Sequence, residues 1–319
     1  MAVSKQHKAE VFRTLKNVDH AQWLEYRRKG IGGSDAGTIL GVNKYKTPFE
    51  LFMDKTGESM VEDEAGEAAY WGNQMEEVVA KEFEKRTGKK VRRSNMMYQH
   101  PQYDFMLANV DRFVVKENAI LECKTASTYL AKEWKDDEIP AQYLAQVQHY
   151  LGVTGADKAY IAVLIGGNKF IWKEVDRDDE LIDYIIQAER TFWEDHVLKN
   201  IPPALDGSTA AEEYLKNKYE QSEQEVIKLK KNYNELLEER TVLERDIRLL
   251  ETRKKEIDNN IKNELKEAET GITDKFTITW KPIVTSRVDT KRLKAEHPEI
   301  YTKLLKESSY RKFNVKENK

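Results

Sequence analysis

The spacing of apolar residues divides this chain into three parts. Over 1–205 helical and strand periods alternate, over 206–270 one heptad period runs on, and over 271–319 short mixed patterns return. Within the first part, 8–28 reads as an amphipathic helix or helix pair on Val11, Phe12, Leu15, Trp23, Leu24 and Tyr26. Gly30, Gly32 and Gly33 then break the chain, and Ser34 is placed to cap a short helix over 35–40. Residues 43–47 form a turn, and Pro48 opens a helix through Lys55. An acidic loop, 58–67, precedes a strongly periodic helix over 68–87 that Gly88 stops. A strand over 90–98 leads to two short strands within 108–125, joined by the polar turn Lys116-Glu117-Asn118. Short helices at 129–134 and, behind Pro140, at 141–151 are followed by a hairpin, 159–165 and 169–175, around Gly166-Gly167-Asn168. A helix over 178–198 and the segment Ile201-Pro202-Pro203 close the unit. Strands in the middle with helices on both flanks predict an α/β or α+β domain.

From Leu215 to Ile261, fourteen positions follow alternating steps of four and three, and eleven of them are apolar. Neither Pro nor Gly interrupts 209–270, so the pattern predicts a coiled coil, with Arg240 and Lys254 as wet positions in its seam. The partner helix is not readable from this pattern. In the tail, 275–283 alternates like a strand, 289–306 reads as a helix interrupted near Pro298, and 311–315 as a last strand.

Composition narrows the classes. The single cysteine, Cys123, excludes a disulfide framework within the chain and suits a reducing compartment. No apolar run approaches the roughly 20 residues of a membrane span, and the first residues lack a signal-peptide core, so a soluble cytoplasmic protein is expected. The formal net charge is −3, but 271–319 carry twelve Lys/Arg against six Asp/Glu. That tail suits a phosphate backbone or a solvated surface equally.

Candidate chemistry concentrates in 108–125. Side chains two apart on a strand share a face, so Glu122 and Lys124 point together while Cys123 points away. Hairpin pairing brings Asp111 opposite Glu122. Two carboxylates and an ammonium at one sheet end suit Mg²⁺ or Mn²⁺, though the hairpin by itself fits a solvated turn closed by a salt bridge somewhat better. On the 68–87 helix Glu76 borders the apolar stripe of Trp71, Met75, Val78, Val79 and Phe83, whereas Glu77 falls on the wetter face. Glu76 is therefore the third candidate ligand, or a carboxylate reaching past the stripe into water. On the 141–151 helix, Gln142, Gln146 and His149 take one side and Leu144, Val147 and Leu151 the core side. Gln146 suits a phosphate or a metal-bound water, or a plain surface amide. The stretch from Arg27 to Asp35 gathers Arg27 or Arg28, the Ser34 hydroxyl and backbone N–H groups around a space fit for a terminal phosphate, or forms a flexible turn. It is neither a P-loop nor a dinucleotide fingerprint, which argues against ATP hydrolysis.

Five of these pieces, in order, resemble the YqaJ-type viral recombinases, relatives of phage lambda exonuclease in the PD-(D/E)xK nuclease superfamily. They are W-x₃-R-x₂-G-I-G-G-S-D at 23–35, W-G-x₃-E at 71–76, V-D at 110–111, L-E-C-K at 121–124 and A-Q-V-Q-H-Y at 145–150. The heptad segment followed by WKP, D-x-K-R-L, HP and R-x-F also resembles the C-terminal region of close family members. The resemblance implies a restriction-endonuclease-like core, a mixed sheet flanked by helices, followed by the coiled coil and a small α+β tail. It implies a Mg²⁺-dependent nuclease, with Mn²⁺ as substitute, that degrades double-stranded DNA from 5′ to 3′ beside a RecT-type single-strand annealing protein. By the same resemblance Glu76, Asp111, Glu122 and the Cys123 backbone carbonyl are metal ligands. Lys124 activates the attacking water, Gln146 positions water or phosphate, and Arg27 and Ser34 hold a 5′-phosphate. Val110 stands where the family has Pro, and Cys123 where it usually has an apolar residue. The lambda enzyme lacks the long C-terminal region, which leaves a toroidal trimer, processive action and homo-oligomer formation open. Two other readings use the same residues: an endonuclease, and a catalytically inactive DNA-end-binding protein that recruits an annealing partner.

Overall fold

The computed structural model describes residues 7–58, 66–136, 138–306 and 311–317. Internal contacts divide the chain into two units, Met1–Lys218 and Tyr219–Lys319. The first runs β1 (Glu10–Thr14), α1 (His20–Arg28), β2 (Ile31–Gly32), α2 (Gly33–Ile39), α3 (Pro48–Thr56), α4 (Glu67–Thr87), β3 (Val91–Arg93), β4 (Met96–Gln99), β5 (Met106–Ala108), β6 (Arg112–Val114) and β7 (Ala119–Ala126). A 3₁₀ turn at Thr128–Trp134 leads to α5 (Ala141–Thr154), β8 (Lys158–Ile165), β9 (Lys169–Asp176), α6 (Asp179–Thr191) with a π-helical turn at Phe192–Val197, and α7 (Thr209–Lys218).

The larger sheet has the order β3-β6-β7-β8-β9. Only β7 and β8 pair parallel, from Ala119 opposite Lys158 to Ala126 opposite Ile165, with α5 as the crossover between them. The other three pairings are antiparallel, which makes the sheet mixed. Alternation along β7 sends Ile120 into a core with Ile161, Val147 and Leu151, on the α5 side. Leu121 faces the other way, into a core with Val79, Phe83 and Tyr160 on the α4 side. A strand buried on both faces is held by apolar transfer from each layer, about 1.5–3 kcal/mol per large side chain. Thus α4 and α5 clamp the strand that carries the candidate acidic residues. A second sheet, β1-β4-β5-β2, sets the glycine segment beside this layer through the parallel pair Ile31–Met106 and Gly32–Leu107.

Several expectations change. Residues 10–14 form an edge strand on β4 rather than a helix, because Val11, Phe12 and Thr14 suit an extended chain once a partner supplies hydrogen bonds. The 90–98 strand is two strands in different sheets. Gly32, not Ser34, is the N-cap of α2, and the Asp35 carboxylate takes the Gly32 N–H at 2.9 Å. The helix over 141–151 has no wet side, since every residue from Ala145 to Val153 is buried. Beyond Ile201-Pro202-Pro203, α7 still packs Ala211 and Tyr214 on the first unit's core. The acidic loop falls largely in 59–65, outside the described residues.

The second unit holds α8 (Asn232–Leu265), a hairpin of β10 (Thr270–Ile272) and β11 (Thr277–Thr279), and α9 (Thr290–Glu296) and α10 (Pro298–Leu304), which Pro298 separates. The helix begins later than the heptad pattern, and its seam residues lie open, Leu250 at 71%. Residues 311–317 carry no strand. Among the described residues no helix is long and apolar enough to cross a membrane.

Candidate active site

The antiparallel pairs Arg112–Leu121 and Phe113–Ile120 carry Asp111 to the step beside Glu122, and Oδ2 of Asp111 accepts the backbone N–H of Cys123 at 2.8 Å. Period two along β7 places Glu122 and Lys124 together, their Oε1 and Nζ 2.7 Å apart. Cys123 packs on the α4-side core. From α5, Gln146 donates to the same Oε1 of Glu122 at 2.7 Å. Glu122 is only 4% exposed, and its other oxygen, Oε2, is buried with no hydrogen-bond partner. Across the sheet end, α4 presents Glu76, which pairs with Arg112 and lies 3.9 Å from Arg93.

These carboxylates feel one another. Burial, then Glu122, then Glu76 push the Asp111 carboxyl well above its ordinary range, while Lys124 and the Cys123 amide pull it part of the way back. Burial pulls the Lys124 ammonium down, but Glu122 and Asp111 outweigh it, so Lys124 stays charged. Among the described residues no three His, Cys, Asp or Glu side chains sit at metal-ligating distances, because Glu76 is turned onto Arg112. The donor set nevertheless fits a hard divalent cation. Two carboxylates crowd one buried point, and the orphaned oxygen of Glu122 has no protein partner to offset its desolvation.

A second cluster lies on the glycine segment. Trp23, Arg27, Gly33, Ser34, Asn109 and Tyr150 help line a cavity of about 90 Å³. Arg27 lies over the Trp23 ring at 4.8 Å and donates to Ser34 Oγ at 2.9 Å and to Asp35 Oδ1 at 3.3 Å. Arg28 instead approaches Asp54 at 3.8 Å, outside this cluster. Burial works to raise the Asp35 carboxyl, but Lys55 at 2.7 Å, then Arg27 and Lys46, hold it well below the usual carboxylate range. Because Asp35 is chiefly neutralised by Lys55, guanidinium donors of Arg27 remain for another anion. Gly33 is required here: a Cβ would lie 2.5 Å from the Tyr150 ring. The two clusters meet through Gln146, whose Nε2 also lies 3.2 Å from the Tyr150 hydroxyl.

Arg112 and Tyr150 are the site residues that sequence reasoning passed over. The signal for Arg112 was its place directly after Asp111, and for Tyr150 its spacing of one helical turn from Gln146. His149 belongs to the core, with Nδ1 at 2.7 Å from Glu189 and Nε2 at 2.9 Å from the Leu107 carbonyl.

Over 313 residues the chain is 53% identical to the uncharacterized protein YqaJ of Bacillus subtilis (strain 168), spanning 97% of this chain and 98% of that one. Residues 22–157 match the family model of the YqaJ-like viral recombinase domain. The chain belongs to that family. All the clustered residues, from Arg27 through Gln146, fall inside the YqaJ-like segment. The similarity to the Bacillus relative continues through the second unit, so α8 and the tail travel with the YqaJ-like domain in both. Two solved structures resemble it in part. The alkaline exonuclease LHK-Exo from Laribacter hongkongensis shares 19% identity over 62% of this chain and 97% of its own, with a TM-score of 0.49. A phage-related exonuclease from Haemophilus somnus 129PT shares 17% identity over 56% of this chain and 99% of its own, with a TM-score of 0.42.

Proposed function

We propose that this YqaJ-family chain is a cytoplasmic, Mg²⁺-dependent deoxyribonuclease that degrades double-stranded DNA from its 5′ ends during recombination. The observation that carries this reading is the crowding of Asp111 and Glu122 at one buried point beside a charged Lys124, with a buried oxygen of Glu122 unpartnered and Glu76, held by Arg112, near enough to raise the Asp111 carboxyl. Asp111, Glu122, Glu76 and the Cys123 carbonyl would hold the cation, with Mn²⁺ as substitute. A cation so held lowers the pKa of water and offsets charge on the phosphate. Lys124, fixed by Glu122 at 2.7 Å, acts as a charged donor that orients the attacking water and steadies negative charge as it builds up. Gln146, donating to the same Oε1 of Glu122 that Lys124 holds, fixes the rotamer of Glu122 and so the position of the water or phosphate beside it. Arg27 and Ser34 take a 5′-terminal phosphate, and the Tyr150–Gln146 contact ties that pocket to the acidic cluster. In the same reading α8 is one strand of a coiled coil, through which the chain meets a second copy or a RecT-type annealing protein.

The test is the full chain on linear duplex DNA, 5′-phosphorylated or not, with Mg²⁺ or with a chelator. Nucleotide release that needs the cation and proceeds from the 5′ end is expected. Full activity in Asp111→Ala would remove the assigned site, and nicking of covalently closed circles would make the enzyme an endonuclease.

A further inference from the structure

Arg112 is the first residue of β6, adjacent in sequence to Asp111, and its side chain is only 3% exposed. Its guanidinium forks between two consecutive residues of α4. Nη1 pairs with Glu76, and Nη2 donates to Glu77 Oε2 at 2.9 Å. Nη1 also donates to the Asp111 carbonyl at 2.9 Å, so the fork is anchored on the strand whichever carboxylate it holds. Glu77 is 55% exposed on its side chain and Glu76 only 18%.

Resting on the metal-dependent reading above, we infer that Arg112 is a positioning residue that holds Glu76 until the cation arrives, and that Glu77 lets it let go. A buried guanidinium stripped of its carboxylate is strongly unfavourable, because its lost hydration is no longer offset. With Glu77 present, Glu76 can turn to the cation while Arg112 keeps one carboxylate and the Asp111 carbonyl. Without Glu77, releasing Glu76 would leave Arg112 unpaired beside an incoming dication. Glu77 therefore favours cation binding without being a ligand, and its effect passes through Arg112.

The experiment is Mn²⁺ titration of the full chain by calorimetry, with no DNA present. Glu77→Gln should weaken Mn²⁺ binding by about tenfold, the lower end of what losing an outer-sphere partner does to metal affinity. In an Arg112→Gln background the same Glu77→Gln change should have no further effect. Arg112→Lys, whose compact ammonium lacks the planar guanidinium fork that spans both carboxylates and the Asp111 carbonyl, should reduce the Glu77 effect and serves if Arg112→Gln does not fold. Unchanged affinity in Glu77→Gln, against a wild type that binds Mn²⁺, would overturn the inference alone. A Glu77→Gln loss that persists in both Arg112 backgrounds would make Glu77 a direct ligand and also overturn it. A wild type that binds no Mn²⁺ would overturn the metal-dependent reading, and the inference with it.

Discussion

Gln146 donates to Oε1 of Glu122 across 2.7 Å, from a helix to the strand it packs on, and both side chains are buried. The bond leaves Oε2 of Glu122 as the unpaired oxygen and sets where it points. Gln146→Ala is expected to slow DNA cleavage by about 10- to 100-fold while the chain still binds duplex DNA, in line with other outer-sphere losses. Single-turnover cleavage beside a gel-shift measurement checks it. Equal loss of cleavage and binding would assign Gln146 to DNA binding alone.

Asp111 titrates in the direction that makes function and stability oppose each other. Its folded carboxyl lies well above the ordinary value through burial, Glu122 and Glu76, so the folded state binds this proton more tightly than the unfolded chain. Stability from this group is then present at low pH and declines as pH rises from the unfolded carboxylate value through the folded one. At neutral pH in a chelator, Asp111→Asn should melt roughly 2–6 °C above wild type. It should also lose cleavage, and lose the further stabilisation that Mg²⁺ gives the wild type. A chelated variant melting below wild type would contradict the repulsion.

Arg27 sits on the Trp23 ring with Ser34 in hydrogen-bond reach. Arg27→Ala should reduce cleavage of 5′-phosphorylated duplex ends by more than tenfold relative to unphosphorylated ones, since charge-assisted bonds to phosphate are lost. Competing the two ends in one reaction measures this directly. Equal loss on both would assign Arg27 to folding or to general DNA binding.

Gly33 meets Tyr150 where no Cβ fits, at 2.5 Å, whereas a Cβ on Gly72 in α4 would meet Thr125 at an ordinary 3.8 Å. Gly33→Ala should destabilise by about 1–3 kcal/mol through overpacking. Gly72→Ala should be neutral or stabilise by up to about 1 kcal/mol, as expected within a helix. Urea unfolding of the two variants side by side tests the contrast.

His100 is buried, and its Nδ1 accepts the backbone N–H groups of Gln102 at 3.0 Å and Tyr103 at 3.2 Å. Burial, aided by His7, His149 and Arg177, lowers its pKa from 6.5 to about 3. Above pH 6.5 the group is neutral in both states. As pH falls toward 3, the unfolded chain takes up a proton that the folded one refuses, and stability falls. The slope is at most about 1.4 kcal/mol per pH unit. His100→Asn keeps an acceptor near the Nδ1 position and removes the titration, so its stability relative to wild type should rise on acidification. A difference that does not vary with pH would clear His100 of this role.

What was readable without coordinates was whatever depends on neighbours in the chain. The shared face of Glu122 and Lys124 follows from strand period two, the end of α4 from Gly88, and the break between α9 and α10 from Pro298. The placement of Glu76 beside an apolar stripe likewise came from helical period, but of that stripe only Val79 and Phe83 are buried while Trp71 and Val78 stand exposed, and the heptad seam of α8 predicted as a coiled coil lies open. Cross-chain geometry decided the rest. Residues 10–14 became a strand only because β4 offers them partners, and Gln146 and His149 are held in the interior by Glu122 of β7, Glu189 of α6 and the Leu107 carbonyl of β5, partners that lie off their own helix. The fork of Arg112 onto α4 joins residues 35 and 36 positions apart, which no local pattern registers. Local periods fix which way a side chain points from its own element. What it meets there is set by the packing of α4 and α5 against β7, and ion pairs across that packing form only when the layers close.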